Sequence, residues 1–205
     1  MKKFPTVFKL GGSYARSSLL PRWLEAIAAH PPALIVPGGG IFADCIRSAQ
    51  AEIGFSHAAA HELALMAMNQ FARVLVDIFP SLKFAESFLA IERAFRASET
   101  CVLLAWPMLK AEAELPPSWE ITSDSIAAWM ARKLHAPLVL IKHTDIPPAP
   151  TAAGLAEAGI VDRAFPRFTE NLKTPVFIAS PEDLPAAFSD GEKLWGQRLL
   201  GHAVV

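Results

Sequence analysis

The chain has 205 residues, of which 52% are hydrophobic, enough to bury a sizeable core in a single domain spanning 1–205. Its 19 basic and 20 acidic residues give a formal net charge of -1, which argues against nucleic acid and anionic membranes as partners. The two cysteines, Cys45 and Cys101, lack the spacing of a metal site, so we expect free buried thiols in a reducing cytoplasm.

Strands and helices alternate along the chain. Short apolar runs bounded by glycine or proline predict strands at 6–10, 33–36, 100–105, 138–141 and 175–179, and an edge strand at 197–205. Apolar residues at helical spacing predict helices at 19–29, 41–53, 57–78, 86–97, from the caps at 122–124 to 134, and at 181–188. This alternation predicts an α/β fold, a three-layer αβα sandwich with a mainly parallel central sheet.

The composition of three segments argues against a secretory signal, a membrane span and a further strand. Lysine and glycine interrupt the first residues before any long apolar region develops, so we expect no secretory signal. The segment 58–79 is apolar on average, but charged and amide side chains interrupt it, which predicts a buried or amphipathic helix and no membrane span. The proline-rich segment 147–154 predicts an exposed loop, because proline lacks the N–H that a strand needs.

A helix start is followed by a buried strand and then by a lysine. Thr122, Ser123 and Asp124 can each cap the helix by accepting a bond from its first free N–H groups. The apolar run 138–141 is typical of a strand covered on both faces. Lys142 follows directly, at the end of a strand, where open α/β sheets bind ligands.

Two glycine-rich loops also follow strands. In the first, Lys9 precedes Gly11-Gly12-Ser13, where backbone N–H groups can approach a phosphate and the lysine adds a positive charge. The second, residues 38–40, consists of three glycines before a helix whose N-terminal dipole favours an anion. Neither loop fits GxxxxGKS or GxGxxG, and each by itself is also explained by a tight turn without a ligand.

These motifs, taken together, resemble the amino acid kinase superfamily. The resemblance rests on KLGGS, on PGGG after the second strand, and on TSDS followed by a helix and a strand that ends in K-x-T-D. VPGGGIFAD, LPPSWEITSDS and GLAEAGIVDRAF are similar to the small kinases of methanofuran biosynthesis within it. Those kinases convert an aminomethylfuranyl-methyl phosphate to its diphosphate with ATP.

The resemblance implies direct in-line transfer of the γ-phosphoryl group of ATP, in which positioning and charge neutralisation supply most of the catalysis. Lys9 would contact the transferring group, Asp124 would orient lysine side chains, and Lys142 would face the ATP phosphates. Backbone N–H groups of the glycines at 11, 12 and 39 would stabilise the phosphoryl oxygens.

The same resemblance assigns the two substrates. The residues expected at the nucleotide are Gly11, Gly12, Ser13, Gly39, Thr144 and Asp145. Those expected at the phosphate-bearing acceptor are Gly38, Gly40, Asp44 and Arg47. Mg²⁺ would bridge the ATP phosphates with few direct protein ligands, so we assign no metal-binding residue. After Thr144-Asp145, where relatives continue with Val-Asp-Gly-Val-Tyr, the sequence here is Ile146-Pro147-Pro148.

Several polar residues near the expected acceptor pocket have two interpretations. Arg47 could hold the acceptor phosphate and Asp44 an aminomethyl ammonium, or the two could form a solvated pair on a helix surface. Arg16 is a further phosphate candidate. His57 and His61 share a helical face, with Glu62 next to them, and could bind a metal or serve a structural or subunit contact.

Other residues on the same helix and several aromatics leave a structural alternative open. Asn69 and Gln70 could line the pocket or cap buried contacts. The aromatic residues interpreted as packing and not as substrate stacking are Phe42, Trp106, Trp119 and Trp129.

Two alternatives to a methanofuran-type kinase stay open. One is a kinase of another small phosphate, such as uridylate or isopentenyl phosphate. The other is a non-catalytic protein that binds a nucleotide or oxyanion on the same fold. We also expect a homo-oligomer, although burial in the core would explain the long apolar helix 57–78 equally well.

Overall fold

Parallel strands joined by helices form the frame of the chain, in a computed structural model that describes residues 5–185 and 194–201. The strands are β1 (Thr6–Leu10), β2 (Ala33–Pro37), β3 (Lys83–Ala85), β4 (Thr100–Leu103), β5 (Leu138–Ile141), β6 (Val176–Ala179) and β7 (Gln197–Arg198). The α-helices are α1 (Leu20–Ala28), α2 (Gly40–Ile53), α3 (His57–Ile78), α4 (Phe88–Arg96), α5 (Ala105–Leu109), α6 (Ser123–Leu134), α7 (Ala152–Glu157) and α8 (Phe165–Thr169). Gly12–Arg16 and Pro181–Asp183 are 3₁₀ helices.

In the described part of the chain, the strands form one seven-stranded sheet in the order β3-β4-β2-β1-β5-β6-β7. Neighbouring strands are parallel except β6 and β7, which are antiparallel. Apolar side chains of α6 and α8 pack on one face of the sheet, and those of α1 and the second half of α3 pack on the other. The predicted three-layer sandwich with a mainly parallel sheet is therefore confirmed.

Successive side chains of β1 point to opposite faces of the sheet. Phe8 and Leu10 join the core beneath α1, whereas Val7 joins the core beneath α6. Because successive strand residues point to opposite faces, Lys9 shares its face with Val7 and extends toward α6. A lysine near the end of a buried strand thus meets the start of a helix and not solvent.

Strand β1 lies at the centre of the sheet, between β2 and β5. The chain passes from β1 to β2 on one side, and β5 later pairs with β1 on the other side. In open α/β sheets, ligands bind outside the carboxyl ends of strands at such a switch point. The two predicted glycine loops and Lys142 follow β1, β2 and β5, so they all lie at this edge.

Most predicted elements are present with ends that differ by one or two residues, and strands β1 and β5 and helix α3 agree with their predicted ranges. The predicted strand at 100–105 ends at Leu103, because Ala105 already begins α5. The elements that the sequence did not predict are β3, α5, α7 and α8. Each is six residues or shorter, too short for a helical or strand period to show clearly.

The last predicted elements agree in part. The helix predicted at 181–188 is the 3₁₀ helix Pro181–Asp183, and residues 186–188 lie outside the described residues. The edge strand predicted at 197–205 is Gln197–Arg198, and residues 202–205 also lie outside them. The exposed loop predicted at 147–154 ends early, since α7 begins at Ala152.

The structure bears on two further expectations, the burial of the cysteines and the absence of a membrane span. Cys101 is buried as expected, whereas Cys45 is exposed on α2, so the prediction of two buried thiols is wrong for Cys45. The reason is that α2 buries no side chain fully. No helix within 5–185 and 194–201 is both long enough and apolar enough to cross a membrane.

Candidate active site

Lys9, Asp124 and Lys142 form a charge cluster at the carboxyl edge of the sheet. The Lys9 Nζ lies 2.8 Å from Asp124 Oδ1. The Lys142 Nζ donates to both carboxylate oxygens of Asp124, at 3.0 Å from Oδ1 and 2.9 Å from Oδ2. The side chains of Lys9 and Asp124 are 5% and 6% exposed, so water screens their attraction weakly. One buried carboxylate therefore holds two ammonium groups side by side.

Three elements that are distant in sequence build this cluster. Lys9 is the fourth residue of β1 and pairs in register with Leu140 of β5, two residues before Lys142. The main chain of Lys142 is fixed at both ends, because its N–H donates to the Ala179 carbonyl at 2.9 Å and its carbonyl accepts from the Tyr14 hydroxyl at 3.1 Å. Asp124 lies in the first turn of α6, above the sheet.

The pKa values follow from burial and from the mixture of charges. Burial lowers the pKa of Lys9 to about 8, aided by the like charge of Lys142, although the attraction of Asp124 opposes this. Burial would raise the pKa of Asp124, but the two ammonium groups outweigh it and hold that pKa at about 2. At neutral pH the cluster thus contains two cations and one anion, which leaves it a net positive charge.

Asp162, in the turn between α7 and α8, supplies the cap of α6. Its Oδ2 accepts from the N–H of Thr122 at 2.9 Å, the Thr122 hydroxyl at 2.8 Å and the N–H of Ser125 at 3.0 Å. Its Oδ1 accepts from the Ser125 hydroxyl. Thr122 is the N-cap residue, but its side chain makes no cap hydrogen bond, so the prediction that these residues cap the helix with their own side chains is wrong.

The two glycine loops contact each other through their backbones. A Cβ on Gly12 would lie 2.3 Å from the nitrogen of Gly40, and a Cβ on Gly38 would lie 2.4 Å from the nitrogen of Gly12. Real Cβ atoms do not approach backbone that closely, so glycine is required for this contact. Gly40 also has a φ of +53°, which favours glycine.

One glycine has a different role from the one the resemblance implied. The N–H of Gly11, expected to donate to the phosphoryl oxygens, donates to the carbonyl of Ile141 at 3.0 Å. Gly11 therefore extends the pairing of β1 with β5. Close packing explains its size as well, since a Cβ there would lie 3.0 Å from the same carbonyl oxygen.

A cavity of about 370 Å³ opens beside the glycine loops, and we call it the glycine-loop cavity. Its walls include all four residues expected at the acceptor, together with Gly12, Ser13 and Gly39. Apolar side chains of Leu65, Met68 and Ile126 form part of its lining. The other polar side chains lining this cavity are Arg16, His61, Ser118, Thr122 and Ser123.

A second cavity, of about 920 Å³, borders the charge cluster, and we call it the α7 cavity. Its lining includes Asp124 and Lys142, residues of α7, and residues 159–163 of the turn that carries Asp162. Arg47, Trp119 and Thr122 line both cavities, so the two spaces adjoin.

Trp119 and Arg47 form the partition between the cavities. The Arg47 guanidinium lies 4.5 Å from the centre of the Trp119 ring, and its Nη1 lies 3.3 Å from Asp44 Oδ1. The indole N–H of Trp119 donates to Gln50 Oε1 at 2.6 Å. The Arg47 and Asp44 side chains are 55% and 68% exposed, so the pair is both solvated and part of the cavity wall.

Two predicted nucleotide-binding residues lie apart from both cavities, and the two histidines of α3 differ in exposure. Thr144 and Asp145 are exposed, and neither belongs to the described lining of the two cavities. Burial lowers the pKa of His61, which faces the glycine-loop cavity, while His57 is exposed. Glu62 accepts from the indole N–H of Trp106 at 3.0 Å instead of joining the histidines.

Two interpretations of α3 were left open: the role of Asn69 and Gln70, and metal binding near the histidines. Asn69 Oδ1 accepts from the Trp106 N–H at 3.1 Å, so it caps α5, and Gln70 is exposed. Across the described ranges, no three histidine, cysteine, aspartate or glutamate side chains gather closely enough to bind a metal ion.

Three residues at the site were missed by sequence reasoning: Asp162, Tyr14 and Trp119 as a cavity wall. Asp162 follows Asp124 by 38 residues, and no spacing rule connects the two. Tyr14 directly follows the first glycine loop. Because a buried tyrosine hydroxyl needs a hydrogen-bond partner, the sequence could have indicated a contact there. The available signal for Trp119 was a large aromatic side chain in a polar segment, three residues before the N-cap Thr122.

Comparison with known proteins gives one curated relative and several solved structures. No protein-family model matches the chain. The chain is 28% identical over 143 residues to the aminomethylfuranyl-methyl phosphate kinase of Methanocaldococcus jannaschii. That match covers 68% of this chain and 65% of the relative, so it spans less than two thirds of the relative's length.

The solved structures are similar over nearly the whole chain. Uridylate kinase from Archaeoglobus fulgidus has a TM-score of 0.69 at 20% identity and covers 97% of this chain and 100% of its own. Aspartate kinase from Synechocystis has a TM-score of 0.63 at 13% identity, covering 98% of this chain and 41% of its own. An isopentenyl phosphate kinase has a TM-score of 0.57 at 16% identity, covering 95% and 100%.

All of these proteins are kinases by name, and the three solved structures share the fold of this chain. The comparisons thus confirm the resemblance seen in the motifs, and the chain has the fold of the amino acid kinase superfamily.

Proposed function

We propose that the chain is an ATP-dependent kinase that transfers the γ-phosphoryl group to a phosphate monoester. The acceptor we propose is aminomethylfuranyl-methyl phosphate, which would become the corresponding diphosphate. The curated relative is named for this reaction, and two of the similar structures are named for kinases of other small phosphates.

The observation that carries the proposal is that two members of the charge cluster line one of two adjoining cavities, while both glycine loops line the other. Lys142 and Asp124 line the α7 cavity, and the glycine loop that follows Lys9 lines the other. A phosphoryl group that passes from one cavity to the other would cross next to two ammonium groups. Preorganised cations at that point favour the spread of negative charge in the transition state.

The glycine-loop cavity suits a small ring with charged substituents. Its volume of about 370 Å³ lies in the range of small-molecule sites. The apolar side chains lining it can pack against a furan ring, while Arg16 and Arg47 can pair with the acceptor phosphate. Asp44 offers a carboxylate for the aminomethyl ammonium. The larger α7 cavity is left for the nucleotide.

Each charged residue has a distinct role in this reaction. Lys9 contacts the transferring phosphoryl group, and Lys142 pairs with the phosphates of ATP. Asp124 orients both lysines and does not take a proton, because it is already ionised with a pKa of about 2. A phosphate monoester is itself largely ionised at neutral pH, so the attacking oxygen needs no strong general base.

Backbone donors and Mg²⁺ complete the proposed site. We assign the transferring oxygens to the N–H groups of Gly12 and Gly39, since that of Gly11 is engaged with Ile141. Mg²⁺ would be carried mainly by the ATP phosphates, with few direct protein ligands. When bound, Mg²⁺ supplies charge neutralisation of those phosphates. Binding of the nucleotide by Thr144 and Asp145 stays a prediction.

Two further expectations complete the proposal. We propose a homo-oligomer, because α3 leaves large apolar side chains, Leu63, Val74 and Ile78, partly exposed. Light scattering on the purified protein would measure its mass, and a monomer would contradict this. The cytoplasmic location expected from the sequence stays a prediction.

The experiment that tests the function measures ADP formation by the purified chain with Mg-ATP and a panel of acceptors. The panel contains aminomethylfuranyl-methyl phosphate, uridylate, isopentenyl phosphate and inorganic phosphate. We expect turnover with the furan compound and a diphosphate product detected by ³¹P NMR. Preference for uridylate or isopentenyl phosphate would replace the proposed acceptor. Nucleotide binding without ADP formation would favour a non-catalytic binding protein.

Lys9→Ala is the matched variant for this assay. Removing a donor to the transferring group should lower kcat by at least about 10²-fold. The fold should survive, because Asp124 keeps Lys142 as a partner. Lys83→Ala removes a lysine from β3, at the far edge of the sheet, and should leave kcat unchanged. Unchanged turnover in Lys9→Ala would refute the role of Lys9.

A further inference from the structure

Asp162 joins the start of α6 to the turn that forms a wall of the α7 cavity. Its carboxylate accepts from two main-chain N–H groups and two hydroxyls, those of Thr122 and Ser125. These two residues flank the dipeptide that contains Asp124. The backbone on both sides of Asp124 is therefore held by one side chain from a different element.

Asp162 also contacts the Asp124 carboxylate itself. The N–H of Asp162 donates to Asp124 Oδ2 at 3.3 Å, and this is the same oxygen that lies 2.9 Å from Lys142 Nζ. The other oxygen, Oδ1, lies 2.8 Å from Lys9 Nζ. The backbone of Asp162 thus helps to fix the plane of the carboxylate, which meets Lys9 through Oδ1 and Lys142 through both oxygens.

A second connection ties the same turn to the segment before α6. The N–H of Ala164 donates to the carbonyl of Glu120 at 3.0 Å, which fixes the turn on the far side of Asp162. Asp162, Asp124 and Lys142 all line the α7 cavity. A movement of this cavity wall would therefore displace Asp124 relative to the lysines.

We propose that Asp162 is a positioning residue for the phosphoryl transfer, which holds Asp124 in the orientation that aligns Lys9 and Lys142. This inference rests on the proposed function and adds a residue to it. Asp162 does not touch the transferring group, and it acts through Asp124.

A plain helix cap is the competing explanation, and it makes a different prediction. A cap stabilises α6 and nothing more, so its loss would lower the melting temperature and leave kcat of the folded protein unchanged. A positioning residue affects kcat at full folding, because a displacement of about 1 Å at the reacting groups can cost about 10²-fold.

The test compares Asp162→Ala with Asp162→Asn and with Ser87→Ala. The Ser87 hydroxyl accepts from the Ala90 N–H at 3.2 Å and caps α4, outside the described lining of both cavities, so it is a matched cap control. Asparagine keeps one oxygen for the Thr122 and Ser125 N–H groups and can donate to the Ser125 hydroxyl. We expect Asp162→Ala to lose about 10- to 10²-fold in kcat, Asp162→Asn to recover most of it, and Ser87→Ala to lose none.

A readout that does not depend on turnover separates this inference from the proposed function. NMR of ¹⁵N-labelled lysine ammonium groups, assigned with Lys9→Arg and Lys142→Arg, reports whether both lysines stay paired with Asp124. We expect both signals to shift in Asp162→Ala and to stay in place in Ser87→Ala. If the wild-type protein forms no ADP, the function fails, but these signals still decide the inference. Unchanged signals in Asp162→Ala, or a kcat loss equal to the unfolded fraction, would overturn it.

Discussion

The Lys9 ammonium lies 2.8 Å from the Asp124 carboxylate, in a place where both side chains are almost fully buried. The same carboxylate lies 2.9 Å from the Lys142 ammonium. Because two cations share one anion, the cluster keeps a positive charge within the protein. Such a charge suits a site that binds phosphate groups. Because Asp124 is the counter-ion of both lysines, the stability of the cluster depends on it.

Asp124→Asn should destabilise the fold strongly. It leaves two buried ammonium groups without a counter-charge, and removal of one partner from a buried pair costs about 3–5 kcal/mol. The double variant Asp124→Asn with Lys9→Met should recover part of the lost stability, since one of the unpaired charges is then absent. Urea unfolding at neutral pH measures both. A double variant less stable than the single one would contradict the central role of Asp124 as the shared counter-ion.

Acid should remove the same contribution in the wild-type protein. The folded pKa of Asp124, about 2, lies below its ordinary value of 3.8. This group therefore adds stability that is fully present above pH 3.8 and is lost as the pH falls toward 2. In Asp124→Asn, unfolding free energies measured across that window should fall less steeply. Parallel curves for the two proteins would show that Asp124 is not the titrating group.

Alkaline pH should lower activity before it lowers stability. Burial, with the charge of Lys142, lowers the pKa of Lys9 to about 8, so kcat/KM should fall as the pH rises through that value. Between pH 8 and 10.5 the unfolded chain holds a proton that folded Lys9 has released, so this group makes the folded state more stable as pH rises. Alkaline unfolding therefore does not explain the predicted loss.

Lys9→Arg is the variant that identifies the titrating group, because arginine stays charged throughout this range. Its remaining activity should show no fall near pH 8. A pH–rate profile with the same alkaline limb in Lys9→Arg would assign that limb to another group. Circular dichroism at each pH would verify that both proteins stay folded.

Gly12→Ala should separate the two glycine loops. The added Cβ would lie 2.3 Å from the nitrogen of Gly40, and rigid backbone on both sides must shift to admit it. We expect kcat to fall by about 10²-fold, with the fold retained. Gly154→Ala is the control. Its Cβ would approach only a side-chain atom, the Thr151 hydroxyl oxygen at 3.1 Å, and alanine favours the helix in which Gly154 lies. Equal activity of both variants would show that the loop contact does not matter for turnover.

Arg47→Lys should weaken acceptor binding more than it affects turnover. Lysine keeps the charge but loses the planar contact with Trp119 and the forked geometry that suits phosphate. We expect the acceptor KM to rise by about 10-fold, equivalent to about 1.4 kcal/mol, and the KM for ATP to change little. Arg96→Lys on α4 is a matched control, because Arg96 also pairs with a carboxylate on its own helix. A larger change in the KM for ATP would assign Arg47 to the nucleotide.

The strands at the centre of the sheet, and the residues at their ends, can be predicted from the order of the amino acids alone. β1 and β5 are buried along their whole length, as their short apolar runs predict, and Lys9 and Lys142 lie at the ends of those runs. Asp124 is also identifiable from the sequence, because it lies in the first turn of a periodic helix. Apolar runs, strand ends and helix starts are local features, so a few neighbouring residues are enough to predict them.

How those residues meet, and which side chains support them, depends on contacts between distant parts of the chain. The sequence shows that Thr122 and Asp124 lie at a helix start, but it does not show that Asp162, 38 residues after Asp124, replaces the local cap. The partition formed by Arg47 and Trp119 likewise joins a helix to a distant loop. Such contacts depend on the packing of separate elements against the sheet, and no local pattern of residues encodes them.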